Sequence, residues 1–412
     1  MSGFFQKFRP ITISLSPNTE PDDVRLAFRL LFRPAQPAAV QELTEKMKAY
    51  LGVKYAFAFN SGRTSLMAIL AALEIKKGEE VLLQGFTCNS AVNPILARGA
   101  KPVFIDIDKT LNLDPRDLEK KITSRSRAIM IQHTFGCPAQ VEEILLIAAK
   151  HGLMVIEDCA HSLGAKYKGR LCGGFGDVAF FSFGRDKIIS SVYGGMAVTD
   201  NQVLAAKIAE FQKESKEASR AWTYQQLLHP VLMNYLILPL YNLFNLGKVF
   251  LIASHLFNFL SKAVHKKEKQ GLIPDCFPRQ LPASLAALAL NQLAKLERFN
   301  RHRQEIARIY KKELGKGVTA EGNVFMRYPI LVANSDKMLS AARAAGIILN
   351  DGWRKTVIVP PDTDQEAMGY LPGSCPQAEK IAQSIVNLPT HINISPAAAV
   401  RIAGFLKDNN LV

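Results

Sequence analysis

Residues 181–195 read FSFGRDKIISSVYGG, and this stretch decides the fold. It begins inside the apolar run Val178–Phe183, reaches Lys187 four residues after that run, and continues into serines and the pair Gly194–Gly195. A short apolar run that ends in turn-forming residues is typical of a strand buried inside a sheet. The pattern therefore predicts that Lys187 lies just beyond the carboxyl end of a strand, at the edge of an open α/β sheet where ligands bind.

Short apolar runs alternate with helical segments between about residues 55 and 215. Several runs are apolar throughout, rather than at every second position, which is typical of strands buried on both faces of a parallel sheet. Repeated strand–helix–strand units imply right-handed crossovers and helices on both faces. The predicted strands are Val81–Leu83, Val103–Asp106, Ala128–Gln132, Leu153–Ile156 and Val178–Phe183, and the predicted helices are Ser65–Ile75, Asn89–Arg98 and Val141–His151.

The same pattern divides the chain into three parts. Residues 1–215 are predicted to form a large three-layer α/β/α domain with a mostly parallel central sheet, together with an N-terminal arm. Residues 216–280 form a hydrophobic insert. Residues 281–412 are predicted to form a smaller α/β domain, which opens with strong helix formers at Ser284–Leu314.

The hydrophobic insert has an unusual composition. No Asp, Glu, Lys or Arg occurs between residues 221 and 247, and a basic cluster, SKAVHKKEK, follows at 261–269. Pro230 and Pro239 interrupt the apolar run, whereas a membrane-spanning helix needs about 20 mostly apolar residues. Two interpretations stay open. One is a buried helical insert or oligomer interface; the other is a membrane-surface element in which residues 227–260 touch lipid and lysines bind anionic head groups.

Composition and charge limit the classes of function that are expected for this chain. The chain of 412 residues is 48% hydrophobic and has a formal net charge of +15, which suits a folded core and anionic partners such as phosphate-bearing ligands. No basic run is interleaved with aromatic residues, so nucleic acid is not an expected partner. The six cysteines are scattered without a CxxC pair, which argues against a metal site and a disulfide framework. With no recognisable signal segment, a cytoplasmic protein is expected.

Three patterns at the ends of predicted elements could carry chemistry. Ser61 and Gly62 precede a helix whose first N–H groups attract anions, although a plain helix cap explains the same pattern. Asp158 follows a buried strand, where a carboxylate needs either a capping role or a ligand's protonated nitrogen. Lys187 is either a solvated lysine or a desolvated, nucleophilic amine. Together they match the needs of pyridoxal phosphate: an anion cradle, an acid for the ring nitrogen and an amine for the aldehyde.

The ordered set of motifs resembles the DegT-type (DegT/StrS) sugar aminotransferases, pyridoxal-phosphate enzymes with the aspartate-aminotransferase fold. The resemblance is dense over about residues 15–215 and looser over 280–410. The matching stretches are NSGRTSL, VLLQGFTCNSAVNPILARGAKPVFIDID, HTFGCPA, HGLMVIEDCAHSLGAKYKG, GDVAFFSF, GGMAVTD and, near the C-terminus, NLPTH.

The resemblance implies roles for individual residues. Lys187 matches the lysine that forms a Schiff base with the cofactor, and Asp158 matches the acid that faces the pyridine nitrogen. His161 matches a Gln or His close to the ring hydroxyl. The other expected cofactor contacts are the phosphate-binding positions Ser61, Gly62, Arg63 and Ser182 and the ring-face positions Cys88 and Ala160. No metal ligand is implied.

Several positions depart from the family pattern. Arg63 stands where the family has Thr, so backbone donors remain and a positive charge is added. Cys88 stands where Phe or Trp usually stacks on the ring. The Asn-x-Arg-Met motif that reaches the phosphate from the neighbouring subunit is not visible, and FPRQLP at 277–282, with Arg279, occupies its place. Trp353, in LNDGWRK, is either a substrate contact or a packed aromatic.

The resemblance implies an aminotransferase that moves an amino group from glutamate to a nucleotide-linked keto-sugar for cell-envelope or polysaccharide biosynthesis. It also implies a homodimer, and the insert adds the inner face of the membrane as a location. Two other functions stay open: a membrane-associated pyridoxal-phosphate-binding protein with a regulatory or scaffold role and no transaminase activity, and a sugar dehydratase that uses the same cofactor or its amine form. Lys187 argues against the dehydratase, because those enzymes lack the lysine.

Overall fold

A computed structural model describes residues 10–411, and its largest feature is a seven-stranded sheet. The order across the sheet is first strand, seventh, sixth, fifth, fourth, second, third. The seventh strand is antiparallel to both of its neighbours, and the other pairs in this sheet are parallel. The predicted mostly parallel sheet is confirmed. Numbered along the chain, the strands are β1 Tyr55–Phe59, β2 Glu80–Gln84, β3 Lys101–Ile105, β4 Ser126–Gln132, β5 Met154–Asp158, β6 Val178–Ser182 and β7 Gly195–Thr199.

Both faces of the sheet are buried. In β4, Ala128 and Met130 belong to one hydrophobic core, whereas Ile129 and Ile131 belong to a second core. Because successive side chains of a strand point to opposite faces, the two cores lie on opposite sides of the sheet. The predicted three-layer α/β/α fold class is therefore confirmed. The helices are Pro21–Phe32, Ala38–Leu51, Gly62–Ala72, Asn89–Ala97, Pro115–Lys121, Val141–His151, Gln202–Glu214, Arg220–Leu232, Leu246–Leu256, Ala283–Leu293, Leu296–Leu314, Ser335–Ala344, Pro376–Ser384 and Pro396–Asp408.

The C-terminal part has its own hydrophobic core. An antiparallel pair, Arg327–Leu331 with Ile385–Pro389, contributes to this core together with the helices Leu296–Leu314 and Pro396–Asp408. This agrees with a mixed α/β region at the C-terminus, while the boundaries drawn at residues 215 and 280 stay predictions. The remaining short strands pair as Ile11–Thr12 with Ile347–Ile348, Thr87–Cys88 with Ile358–Val359, and Lys166–Tyr167 with Arg170–Leu171.

The helical segment predicted at Ser284–Leu314 is interrupted once in the structure. The chain leaves the helix after Leu293 and starts a new one at Leu296. Between them, Lys295 forms ion pairs of 2.9 Å with both Asp22 and Asp23 near the N-terminus. These ion pairs join residues far apart in the sequence. They hold the chain at the break between the two helices, which local helix propensity does not predict.

The hydrophobic insert is largely helical. The helix Arg220–Leu232 runs into a π-helical turn at Met233–Ile237, and a further helix spans Leu246–Leu256. The first of these helices packs against Pro21–Phe32, which fixes the insert to the N-terminal part of the chain. Within residues 10–411, no helix combines the length and the apolar content that crossing a membrane requires.

The carboxyl ends of three neighbouring parallel strands bring polar side chains to one edge of the sheet. Gln132 ends β4, Asp158 ends β5 and Ser182 ends β6. Ser182 pairs with Gly195, the first residue of β7. A Cβ atom on Gly195 would lie 2.4 Å from the backbone nitrogen of Gly62, so a glycine is needed for the start of the helix Gly62–Ala72 to pack at this edge.

Candidate active site

One cavity opens at this edge, and all nine residues expected to contact the cofactor line it. They are Ser61, Gly62, Arg63, Cys88, Asp158, Ala160, His161, Ser182 and Lys187. Trp353 also lines the cavity, where it packs edge-on against Phe135 and His161. Arg279 does not line it, and its Nη2 donates instead to the backbone carbonyl of Asp275 at 2.9 Å. The fold therefore brings these nine residues together from four separate segments, 61–63, 88, 158–161 and 182–187.

The amine of Lys187 has a defined neighbour in the cavity. Its Nζ atom lies 2.9 Å from Nε2 of His161. The His161 ring stacks on Phe135, with ring centroids 5.7 Å apart and planes 9° apart, and Trp353 contacts it edge-on. Burial, and next the positive charges of Lys187 and Arg327, hold the pKa of His161 well below its usual range. A neutral, firmly held imidazole therefore orients the lysine amine.

Asp158 is a buried carboxylate that faces this cavity. Its Oδ1 accepts a hydrogen bond of 3.0 Å from the backbone N–H of Ala160. Burial raises the pKa of Asp158, while that hydrogen bond and the charge of Lys187 act in the opposite direction. A buried carboxylate is stabilised by a cationic or N–H partner, so the position is suited to a protonated ring nitrogen.

A helix start forms the opposite side of the cavity. Ser61 caps the helix Gly62–Ala72, and its Oγ accepts from the N–H of Thr64 at 3.1 Å. The first N–H groups of a helix have no partner within the helix and attract anions. A Cβ atom on Gly62 would lie 3.0 Å from the Cβ of Ser182, so the two residues already touch. The hydroxyl of Ser182 and this helix start together offer hydrogen-bond donors that suit an anion such as phosphate.

Arg63 is turned toward the basic cluster 261–269 within the hydrophobic insert. Its Nε lies 2.5 Å from the carboxylate of Glu268 and its Nη2 donates to the carbonyl of Ala263 at 2.8 Å. Glu268 is buried, and the side chain of Arg63 is 13% exposed. Burial alone would lower the pKa of Arg63, but the charge of Glu268 outweighs it and raises that pKa. The arginine that stands in place of the family's Thr therefore forms an ion pair across the cavity wall.

Residues 261–264, which we call the strap, cover the phosphate side of the cavity. The hydroxyl of Tyr193 donates to the carbonyl of Lys262 at 2.5 Å, and Arg185 donates to the hydroxyl of Ser261. Ala263 and Val264 line the cavity directly. Sequence analysis missed the strap because its contacts join residues that are about 70 to 200 positions apart.

A buried ion-pair group fixes the loop that carries Lys187. The guanidinium of Arg327, on the C-terminal sheet, pairs with Asp186 and with Asp351, the latter at 2.8 Å. Burial would raise the pKa of Asp186, but the charges of Lys187 and Arg327 lower it. Both acids line the cavity, so the C-terminal part of the chain contributes to the site.

Glu157, which precedes Asp158 in β5, has a structural role. Glu157 accepts hydrogen bonds from the ring of buried His133 and from the backbone N–H groups of Gly173 and Gly176. Burial would raise its pKa, but these hydrogen bonds outweigh the burial and lower it. Ligand-type atoms of His133, Glu157 and Cys159 lie within 4.8 Å of one another. Because the carboxylate oxygens already hold the glycine-rich turn, the group is explained without a metal.

Comparison with known proteins gives a family match over most of the chain. A model of the DegT/DnrJ/EryC1/StrS aminotransferase family matches residues 36–237 and 258–407. The interval between the two matched segments lies inside the hydrophobic insert.

Individual relatives agree with this match. A protein from Methanocaldococcus jannaschii is 29% identical over 389 residues, which cover 88% of each chain. GDP-perosamine synthase from Caulobacter vibrioides is 39% identical over 186 residues, which cover 45% of this chain and half of that protein. The structure of DesV from S. venezuelae superposes with a TM-score of 0.70 at 25% identity, covering 94% of each chain.

Proposed function

The chain belongs to the DegT/DnrJ/EryC1/StrS aminotransferase family, and from that premise we propose that it transfers an amino group from glutamate to a keto-sugar attached to a nucleotide. Enzymes of this family are pyridoxal-phosphate-dependent aminotransferases, and so is this chain. The observation that carries the finer proposal is the meeting of an amine, a buried carboxylate and an anion cradle in one cavity, at Lys187, Asp158 and Gly62.

The cavity residues fit the cofactor on chemical grounds. The helix start at Gly62 and the hydroxyl of Ser182 suit its phosphate. The buried carboxylate of Asp158 suits a protonated ring nitrogen, and the amine of Lys187 suits the aldehyde carbon. When bound, the cofactor supplies a ring that withdraws electrons from the reacting carbon of the substrate.

In this proposal Lys187 has two tasks. Its Nζ would attach the cofactor, and once freed by the amino donor the amine would move a proton between carbon atoms of the bound reactants. His161 holds that amine at 2.9 Å and orients it. Ala160 and Cys88 would contact the faces of the ring, and Cys88 would offer a thiol where an aromatic ring is usual.

The class of acceptor follows from charge and from the relatives. Arg185 lines the cavity, and its Nε has no hydrogen-bond partner among the described residues, so it can donate to an anionic ligand. The net charge of +15 favours an approaching diphosphate. The relative named GDP-perosamine synthase supports a nucleotide-linked sugar as the acceptor. A relative named spore coat polysaccharide biosynthesis protein supports use of the product in cell-envelope or polysaccharide synthesis.

The proposal extends to assembly and location. A homodimer is the expected form, with sites near the subunit interface. We expect the enzyme in the cytoplasm, held at the inner face of the membrane through residues 227–260. Nothing in the charge pattern favours a nucleic-acid partner.

An absorbance scan of the purified protein with pyridoxal phosphate, before and after glutamate, tests this function. We expect a glutamate-driven spectral change in the wild type, release of 2-oxoglutarate in step with amination of an added nucleotide-linked keto-sugar, and neither in Lys187→Ala. Cofactor binding with no response to glutamate would overturn the proposal in favour of a regulatory role. Loss of a sugar hydroxyl without amination of the sugar would favour a dehydratase.

A further inference from the structure

The helix Leu246–Leu256 in the insert buries its small residues and exposes most of its large apolar ones. Its buried residues are Gly247 and Ser254, whereas most of its large apolar side chains point to solvent. The exposed fractions are 87% for Phe244, 59% for Val249, 67% for Ile252, 75% for Leu256, 67% for Phe257 and 55% for Phe259. We call residues 244–259 the apolar surface.

Close packing of the small face explains this arrangement. A Cβ atom on Gly247 would lie 2.1 Å from the carbonyl oxygen of Ile237 and 2.6 Å from the Cα of Tyr241. The helix therefore contacts the preceding segment closely through backbone. Leu251 packs against the small core of that segment, and most of the other bulky side chains of the helix face solvent. An ordinary surface helix has the opposite polarity, with its apolar side facing the core. Exposed apolar surfaces of this kind mark sites of interaction.

The charges around the apolar surface indicate what covers it. Residues 218–267 contain no Asp or Glu but include Arg220, Lys248, Lys262, Lys266 and Lys267. Lys262, Lys266 and Lys267 are exposed immediately after the apolar surface, and Lys267 also pairs with Asp275 at 3.0 Å. Apolar side chains flanked by cations are complementary to the boundary between acyl chains and anionic head groups.

We propose that the apolar surface docks onto anionic lipid, with Ile252, Leu256 and Phe257 inserted at the interface and the following lysines on head groups. A helix of 11 residues is about 16 Å long, which is too short to cross a bilayer but suits lying in its surface. A two-fold contact with a second copy would bring the cations of both copies together, and residues 218–267 hold no carboxylate, although Lys267 pairs with Asp275 outside that range. The docking does not depend on the transamination reaction.

Co-sedimentation with vesicles tests the proposal on the full chain. We expect binding to phosphatidylcholine vesicles that contain phosphatidylglycerol and no binding to phosphatidylcholine alone. The triple variant Ile252→Ser, Leu256→Ser, Phe257→Ser should lose binding while keeping the cofactor absorbance in solution. The matched control changes three equally exposed apolar residues elsewhere: Leu146→Ser, Val203→Ser and Leu371→Ser, which are 72%, 64% and 72% exposed. This control should bind vesicles like the wild type.

A second variant tests the electrostatic contribution of the lysines to vesicle binding. Lys266→Gln with Lys267→Gln should weaken vesicle binding by up to roughly fivefold per lysine, and added salt should have a similar effect. The matched control is the exposed pair Lys311→Gln with Lys312→Gln, which should bind like the wild type. Absence of binding to any vesicle, or unchanged binding of the triple variant, would overturn the proposal. If the triple variant changed the oligomeric state instead, the apolar surface would be an interface between copies. Each of these results leaves the aminotransferase proposal untouched.

Discussion

Nζ of Lys187 and Nε2 of His161 lie 2.9 Å apart, although the two residues come from loops that follow different strands of the sheet. His161 is held by a stacked Phe135 and an edge-on Trp353, so its ring cannot turn freely. The fold thus fixes the lysine amine through a second side chain as well as through its own backbone. This contact, the anion cradle at Gly62 and Ser182, and the Arg63–Glu268 ion pair can each be tested by substitution.

Replacing His161 should change how stability depends on pH. His161 is neutral in the folded chain because its pKa is well below the usual value, whereas in the unfolded chain it takes up a proton below about pH 6.5. The unfolded state therefore binds more protons at low pH, and the wild type loses up to about 1.4 kcal/mol per pH unit through this group below pH 6.5. His161→Asn should lose less between pH 7.5 and pH 5.5 in urea unfolding. The exposed His151→Asn is the control. An unaltered pH slope in His161→Asn would contradict this assignment.

Gly195→Ala should damage the anion cradle. The added methyl would lie 2.4 Å from the backbone of Ser61 and Gly62, and overpacking of this kind costs about 1 to 3 kcal/mol. Equilibrium dialysis should show a roughly tenfold loss of affinity for pyridoxal phosphate, with a smaller loss for pyridoxal, which lacks the phosphate.

The control for that variant is Gly404→Ala. Gly404 lies inside the helix Pro396–Asp408, and a methyl group there meets open space. This change should stabilise the protein by about 0.5 to 1 kcal/mol and leave cofactor affinity unchanged. Equal losses for pyridoxal phosphate and pyridoxal in Gly195→Ala would show that the cradle does not bind the phosphate.

Glu268→Gln should be strongly destabilising. It leaves the buried guanidinium of Arg63 without its carboxylate, and breaking a buried pair costs about 3 to 5 kcal/mol. Adding Arg63→Thr to that variant should recover part of the loss in the free energy of unfolding, because no unpaired charge remains. Glu119→Gln, which breaks the exposed pair with Lys150, is the matched control and should have little effect. A double variant as unstable as the sum of the two single variants would show that the pair is not coupled.

The parts of this structure that the sequence predicts are those with local signals. Fully apolar runs identify β2 to β6, and the residues that follow or end these strands or start a helix single out Lys187, Asp158 and Gly62; Ser182 is indicated by the family resemblance alone. Strands β1 and β7 were missed; β7 begins with Gly195, which is typical of a turn rather than a strand. The strap and the Arg327 ion pairs were missed because they join segments far apart in the chain, and only folding brings those residues together.

The most direct test of the account is borohydride reduction of the protein loaded with pyridoxal phosphate, followed by mass analysis of its peptides. The account predicts that the added mass of the reduced cofactor lies on the peptide that contains Lys187, and that Lys187→Ala removes it. Label on any other lysine, or no label in a protein that has bound the cofactor, would contradict the assignment of Lys187 as the cofactor's attachment point.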